Sequence, residues 1–239
     1  MEATTKHSPV KTAIEYLRNY RDLGGLPLRG GKVTRPFVFL RSEVPTEMRE
    51  SDRLYLLLHG VKTIVDLRRE RELPKKPNVL STDDRFDYRH VSFIQSDFVI
   101  HRNMNYSADE YMRILREEQT GILAALRACA DAEGGVLFHC AVGKDRTGVL
   151  AALLLLIAGA EDEVIVRDYG ISFDNLIGLC GAGAETAYKI IPYPVVMRRA
   201  LVLFREVYGS IDGYLDEIGF STDDREKIRR KFVTPLDGK

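Results

Sequence analysis

The sequence predicts an α/β fold: a central, mostly parallel sheet of four to five strands flanked by helices, followed by a helical C-terminal portion. Three observations carry this expectation. Short apolar or β-branched runs recur at 37–40, 61–67, 85–94 and 136–138. Segments with helical apolar spacing lie between them, the alternation that favours parallel pairing. No linker-like stretch and no internal repeat divides the 239 residues, so a single domain over 1–239 is expected.

The elements follow in chain order. Phe37-Val38-Phe39-Leu40 reads as a strand. Pro45-Thr46 opens a helix through Leu54, Leu57 and Leu58, closed by Gly60 as its C-terminal cap. Val61 to Leu67 is short and rich in β-branched residues, a buried strand. Arg85 to Ile94 alternates through Phe86, Tyr88, Val91 and Phe93, a further strand. Ser107-Ala108-Asp109-Glu110 fits a capping box and starts one helix with Tyr111, Leu115, Ile122, Leu126 and Cys129 on a single face. Gly134-Gly135 leads into the strand Val136–Phe138. Val149 to Ala160 is apolar but only about half the length that spans a bilayer, hence a buried helix. A helix begins at Glu161-Asp162-Glu163. Pro192 to Lys231 reads as three short helices, punctuated by Gly209 and Gly219 and capped by Ser210 and Ser221.

Composition narrows the function. The 35 basic and 35 acidic residues cancel, which gives no overall field for nucleic acid or an anionic membrane. Three cysteines (Cys129, Cys140, Cys180) are too few for a disulfide framework and favour a reducing compartment. The first residues lack the basic-then-apolar layout of a signal peptide, so the expectation is a cytoplasmic protein, or export by a non-standard route. Oligomeric state is not legible.

The chemistry concentrates in His139-Cys140-Ala141-Val142-Gly143-Lys144-Asp145-Arg146-Thr147-Gly148, between the strand at 136–138 and the apolar helix. Read as strand, loop and helix, the segment points the amides of Ala141, Val142, Gly143 and Lys144 and the positive end of a helix at one spot, beside a thiol and a guanidinium. That constellation suits a phosphate dianion and its attack by sulfur. A free thiol near pKa ~8.5 is mostly protonated at neutral pH. The helix dipole, the loop amides and Arg146 all favour the thiolate. Arg146 also forks onto two phosphoryl oxygens. Gly143 and Gly148 are expected to let the backbone turn tightly and approach the ligand. Thr147 offers a hydroxyl to the sulfur, and His139 orients the cysteine backbone. Lys144 is placed as a cation at the mouth of the pocket. Arg41 and Asp66, at strand ends, are candidates to line it. Asp145 is the nearest carboxyl for protonating a leaving oxygen, with Asp66, Asp83, Asp84, Asp87 and Asp97 as competitors; the alternative role for Asp145 is to steer Arg146. The segment is not a nucleotide-binding loop, because the glycine needed ahead of Gly143 is missing and Asp145 stands where Ser or Thr is needed.

His-Cys, five residues, then Arg-Thr-Gly resembles the signature of the cysteine-dependent protein tyrosine phosphatases. The form Gly143-Lys144-Asp145-Arg146-Thr147-Gly148 is similar to their atypical bacterial and fungal branch. Tyr20 to Gly25, Leu40-Arg41-Ser42, Thr63 to Arg68 followed by Glu70, and Asp168-Tyr169 with Ser172 extend the resemblance across nearly the whole chain. It implies the cysteine-phosphatase fold, a phosphocysteine intermediate, no metal and no cofactor. It further implies Asp145 as the acid and activity on phosphotyrosine, often extending to phosphoserine, phosphothreonine or phosphoinositides. The chain has no tryptophan, so it lacks the mobile Trp-Pro-Asp loop of the animal enzymes. Two rivals remain at this stage: a catalytically silent phosphate-binding module, and a cysteine-loop sulfurtransferase or arsenate reductase.

Other features have plainer readings. Cys129 belongs to a core face, and Cys180 is undecided between packing and a redox partnership with Cys140. Arg21 and Asp22 are expected to pair with each other. Val142 is expected to point into the core. Arg198-Arg199 and Arg229-Arg230-Lys231 read as solvated helix faces, with contact to anionic lipid as the lesser alternative.

Overall fold

In a computed structural model, residues 14, 16–96, 107–177 and 194–235 are described. Five strands form the main sheet: β1 (Arg21–Asp22), β4 (Phe39–Ser42), β7 (Gly135–His139), β5 (Val61–Asp66) and β6 (Asp87–His90), in that spatial order. All neighbours are parallel except the edge pair β1–β4, which is antiparallel. Alternate residues face opposite layers. Phe39, Val65, Val136 and Phe138 enter the larger core, while Leu40, Ile64 and Leu137 enter the smaller one. Burial on both faces is why these strands read as continuous apolar runs.

The larger core is covered by α2 (Ala108–Glu117), α3 (Gln119–Ala130), α4 (Asp145–Ala158), α5 (Asp162–Ile177) and the C-terminal α6 (Pro194–Tyr208), α7 (Ile211–Glu217) and α8 (Thr222–Phe232). The smaller core lies under α1 (Glu50–Leu58), with Ile14, Leu17 and Tyr20 of the N-terminal segment. Helix α4 is buried along nearly its whole length, as a helix apolar on all sides must be, and stops at Gly159 with φ 91°. Ser210 and Ser221 cap α7 and α8 as expected. Among the described residues, no helix is long and apolar enough to cross a membrane.

Four expectations need correction. Helix α1 starts at Glu50 rather than Pro45, because the Asp52 carboxylate accepts the Arg49 N–H and fixes the first turn there. The strand after Arg85 is only Asp87–His90. The helix expected to run unbroken from Ser107 to Cys129 is two helices. Its capping box is present, but Glu118 at the break turns its carboxylate to the amides of Gln95 and Ser96, 2.8 and 3.4 Å away. A second sheet, of β2 (Pro27–Leu28), β3 (Lys32–Thr34) and β8 (Val233–Pro235), was not anticipated. Its strands are too short to show a period-2 pattern.

Candidate active site

The three central strands end together: Ser42 of β4 and Asp66 of β5 both lie opposite His139 of β7. Cys140 follows His139, and α4 begins at Asp145, so the intervening loop sits on the carboxyl edge of the sheet at the N-terminus of a 14-residue helix. The first amides of such a helix lack internal partners and favour an anion. The loop turns at Gly143, with φ 73°, where a Cβ would lie 2.3 Å from the Ser42 carbonyl oxygen. Its carbonyls are anchored from behind. Asn19 Nδ2 donates to the oxygens of Val142 (3.3 Å) and Gly143 (2.8 Å), and Arg41 donates to those of Gly143 (2.8 Å) and Lys144 (3.4 Å). With the oxygens held outward, the N–H groups of the same peptides face the concave side, an anion-binding nest.

Behind the loop, Asp168 of α5 pairs with Arg41 (2.5 Å) and Arg21 (2.7 Å), and Arg21 also reaches Asn19 Oδ1 (2.6 Å) and Ser172 Oγ (2.9 Å). All five side chains are buried groups of the scaffold, and Arg41 is fully enclosed. Burial opposes the Asp168 charge most strongly, yet Arg21 and Arg41 outweigh it and hold the carboxyl below its usual range. The expected Arg21–Asp22 pair is therefore corrected. Asp22 instead accepts the amides of Gly24 (2.8 Å) and Phe37 (2.7 Å), and burial pushes its pKa up.

Cys140 is buried at the base of the loop. Burial is the largest influence on its thiol and resists ionisation. The charge of Arg146, the side chain and amide of Thr147 and the amide of Val142 together overcome it, so the pKa is lowered. Among the described residues the buried Thr147 hydroxyl has no hydrogen-bond partner besides this thiol. His139 is neutral, its pKa pulled down to about 4 chiefly by burial, with Asp66 opposing. Its Nδ1–H donates to the Cys140 carbonyl (3.1 Å) while Nε2 accepts from Asn78 (2.8 Å), the tautomer this geometry requires. Arg146 is gripped bidentately by Glu72, at 2.6 and 2.9 Å, and also donates to the Leu67 carbonyl (3.4 Å). Glu72 belongs to a 3₁₀ turn over Glu70–Lys75.

Asp145 is partly exposed; its Oδ1 accepts from the Tyr111 hydroxyl (2.8 Å), and the Lys144 ammonium is 3.5 Å away. Lys144 is buried beside that carboxylate rather than standing at the mouth, which corrects the earlier expectation. Asp66 is also fully enclosed, bonded to Arg68 (2.5 Å) and the Tyr88 hydroxyl (2.9 Å). Arg41 and Asp66 are thus spent on internal partners and do not line an open pocket. Gly148 lies inside α4, where a Cβ would meet the Tyr169 ring at 3.3 Å; it makes room for an aromatic ring rather than for a ligand. Val142 is 37% exposed instead of in the core, and Ala141 beside it is half-buried. Asp83 is tied to Arg53 and Arg85, and Asp87 to Arg89, while Asp84 is exposed. Asp97 and Cys180 fall outside the described residues. Cys129 is core, its thiol pushed up to about 12 by burial. Arg198 pairs with Glu163, and Lys231 donates to the carbonyls of Cys129 and Ala132.

Sequence reasoning missed Glu72, Asn19, Asn78 and the site role of Tyr111. Only Asn19 carried a local signal, since φ 55° is a conformation that asparagine tolerates better than most residues. Among the described residues, no group of three or more His, Cys, Asp or Glu is placed to hold a metal ion.

A central parallel strand, a glycine-turned loop and a buried helix whose first turn faces a thiol define an α/β protein built around an anion site. Residues 12–234 match the tyrosine phosphatase family, and the chain belongs to it; it is a phosphatase, a hydrolase of phosphoric monoesters. It is similar to a tyrosine-protein phosphatase of Nostoc commune, 32% identical over 217 residues that span 80% of this chain and 72% of that one. It is also similar to the triple specificity protein phosphatase PtpB of Mycobacterium tuberculosis, 23% identical over 265 residues that span 88% and 95%. An overlay on a crystal structure of P. aeruginosa TpbA in complex with phosphotyrosine covers 80% of this chain and 91% of that one, with 17% identity and a TM-score of 0.36.

Proposed function

We propose that the chain acts as one domain that hydrolyses phosphotyrosine through a phosphocysteine intermediate on Cys140, with phosphoserine, phosphothreonine and phosphoinositides as further substrates. The observation that carries this is the buried thiol whose ionisation is favoured by Arg146, Thr147 and the loop amides in spite of its burial. In the first step the Cys140 thiolate attacks phosphorus. The P–S bond forms as the bond to the leaving oxygen breaks, and Asp145 gives that oxygen a proton. In the second step water attacks phosphorus, the Asp145 carboxylate takes its proton, and sulfur departs as thiolate. The amides of Ala141, Val142, Gly143 and Lys144 and the Arg146 guanidinium hold the equatorial oxygens as charge develops. A continuous core from Leu23 to Phe232 supports the single-domain reading. The name of the mycobacterial relative supports a substrate range wider than phosphotyrosine. Two buried free thiols, Cys129 and Cys140, fit work in a reducing compartment, the cytoplasm.

The test is hydrolysis of an aryl phosphate by the wild type and by Cys140→Ser. Vanadate-sensitive turnover abolished in the serine variant is expected; full turnover in that variant overturns the mechanism. Initial rates on phosphotyrosine peptide, phosphoserine peptide and short-chain phosphoinositide, measured side by side, rank the substrate classes.

A further inference from the structure

Asp145 does not stand alone at the start of α4. The Tyr111 hydroxyl, from α2, lies 2.8 Å from Asp145 Oδ1, and the Tyr169 hydroxyl, from α5, lies 2.6 Å from that of Tyr111. Both rings are almost fully enclosed, 1% and 2% exposed, and meet edge to face with centroids 6.1 Å apart. Each phenol has one proton to give. An ionised carboxylate only accepts, so the economical arrangement is Tyr169 donating to Tyr111 and Tyr111 donating to Asp145 Oδ1. Burial above all pushes both phenols well above their ordinary range, so both remain donors at any working pH. The Tyr169 ring is seated in the space that Gly148 leaves beside α4.

We infer that Tyr111, backed by Tyr169, is a positioning residue: it binds one oxygen of Asp145 and so makes Oδ2 the oxygen that carries the catalytic proton. The inference rests on Asp145 being the acid. Oδ1, already accepting from Tyr111 and facing the Lys144 ammonium 3.5 Å away, is the poorer site for a proton. Fixing the rotation of the carboxyl matters most when the leaving oxygen needs its proton early, and least when that oxygen is already stable as an anion. The hydroxyl of Tyr111 therefore acts on leaving-group selectivity rather than on phosphate binding.

The experiment is kcat/KM on a phosphoserine peptide, a poor leaving group, and on p-nitrophenyl phosphate, a good one, for Asp145→Asn, Tyr111→Phe and the double variant. Asp145→Asn is expected to lose about 100-fold or more on the alkyl ester and much less on the aryl ester. Tyr111→Phe is expected to lose about tenfold on the alkyl ester and under about threefold on the aryl ester. The double variant should be no worse than Asp145→Asn alone, because the hydroxyl acts only through the carboxyl. Equal losses of Tyr111→Phe on both substrates, or losses that multiply with those of Asp145→Asn, overturn the inference while leaving Asp145 as the acid. Equal losses of Asp145→Asn on both substrates overturn the assignment of Asp145 and this inference with it. Should Tyr111→Phe fail to fold, Tyr169→Phe, which removes only the donor to Tyr111, carries the same test with an expected loss of about threefold on the alkyl ester.

Discussion

At Cys140 two opposing effects act on one atom. Enclosure in the protein penalises a charged sulfur, while Arg146, Thr147 and the Val142 amide reward it, and the second set prevails. Alkylation of Cys140 by iodoacetamide is expected to titrate with a midpoint below that of an ordinary thiol, and Arg146→Met should move the midpoint upward. A midpoint indifferent to that change would assign the effect to the helix and loop alone. Arg146 is in turn aimed by Glu72, whose two oxygens take its two terminal nitrogens. Glu72→Gln keeps the shape of that clamp but loses its charge, so kcat/KM should fall about tenfold, the loss of one charge-assisted contact. The thiol midpoint should stay where it is or drop slightly, because a negative charge near the sulfur has been removed; a rise would contradict this account. The residues proposed as nucleophile, cation and acid were legible in the ten residues from His139 to Gly148, since all three lie on one loop. Glu72 was not, because nothing local distinguishes it from Glu70 two positions before it.

At the scale of elements, the decisive unit is β7, the loop and α4. The loop can pass beneath Ser42 only because Gly143 has no Cβ, and its φ of 73° is costly for any other residue. Gly143→Ala should therefore cost about 2 kcal/mol or more in a urea melt and nearly all activity. Gly159→Ala is the matched control. It also carries positive φ, 91°, but has nothing within 4 Å of the added carbon, so it should cost only about 1 kcal/mol and leave turnover intact. Equal effects at the two positions would show that backbone strain, not the approach to Ser42, governs the loop. The strands and α4 were legible because both-sided burial writes itself as apolar runs. The break at Glu118 was not, since its partners, Gln95 and Ser96, are more than twenty positions away in sequence. Likewise Val142 gives no hint in sequence that it faces outward, a property set by the direction of the Gly143 turn.

At the scale of the whole molecule, buried charges tie the N-terminal segment, β4 and α5 to the back of the loop through Arg21, Arg41 and Asp168. This gives the fold a definite acid response. His139 is held neutral, with its folded pKa of about 4 below the ordinary 6.5, so the unfolded chain binds the extra proton between those values. Stability is expected to fall as pH drops from about 6.5 toward about 4. Asp168, Asp66 and Glu72 all have depressed pKa values; their contribution is complete above the unfolded carboxylate range and is lost as pH falls below it. Urea midpoints between pH 7 and pH 5 should therefore decline in the wild type, and less steeply in His139→Asn. A slope unchanged by that substitution would assign the decline to other groups. The overall α/β layering was legible from the alternation of elements, whereas the ion network was not, because its members are separated by up to 147 positions.

The central claim is that sulfur of residue 140 takes the phosphoryl group during turnover. Mixing the enzyme with ³²P-labelled aryl phosphate, quenching in acid within milliseconds and mapping the label by peptide mass analysis tests it most directly. The account predicts transient label on the peptide containing Cys140, present in the wild type, accumulating in Asp145→Asn as hydrolysis slows, and absent from Cys140→Ser. Turnover at the normal rate with no label on that peptide at any quench time would contradict it.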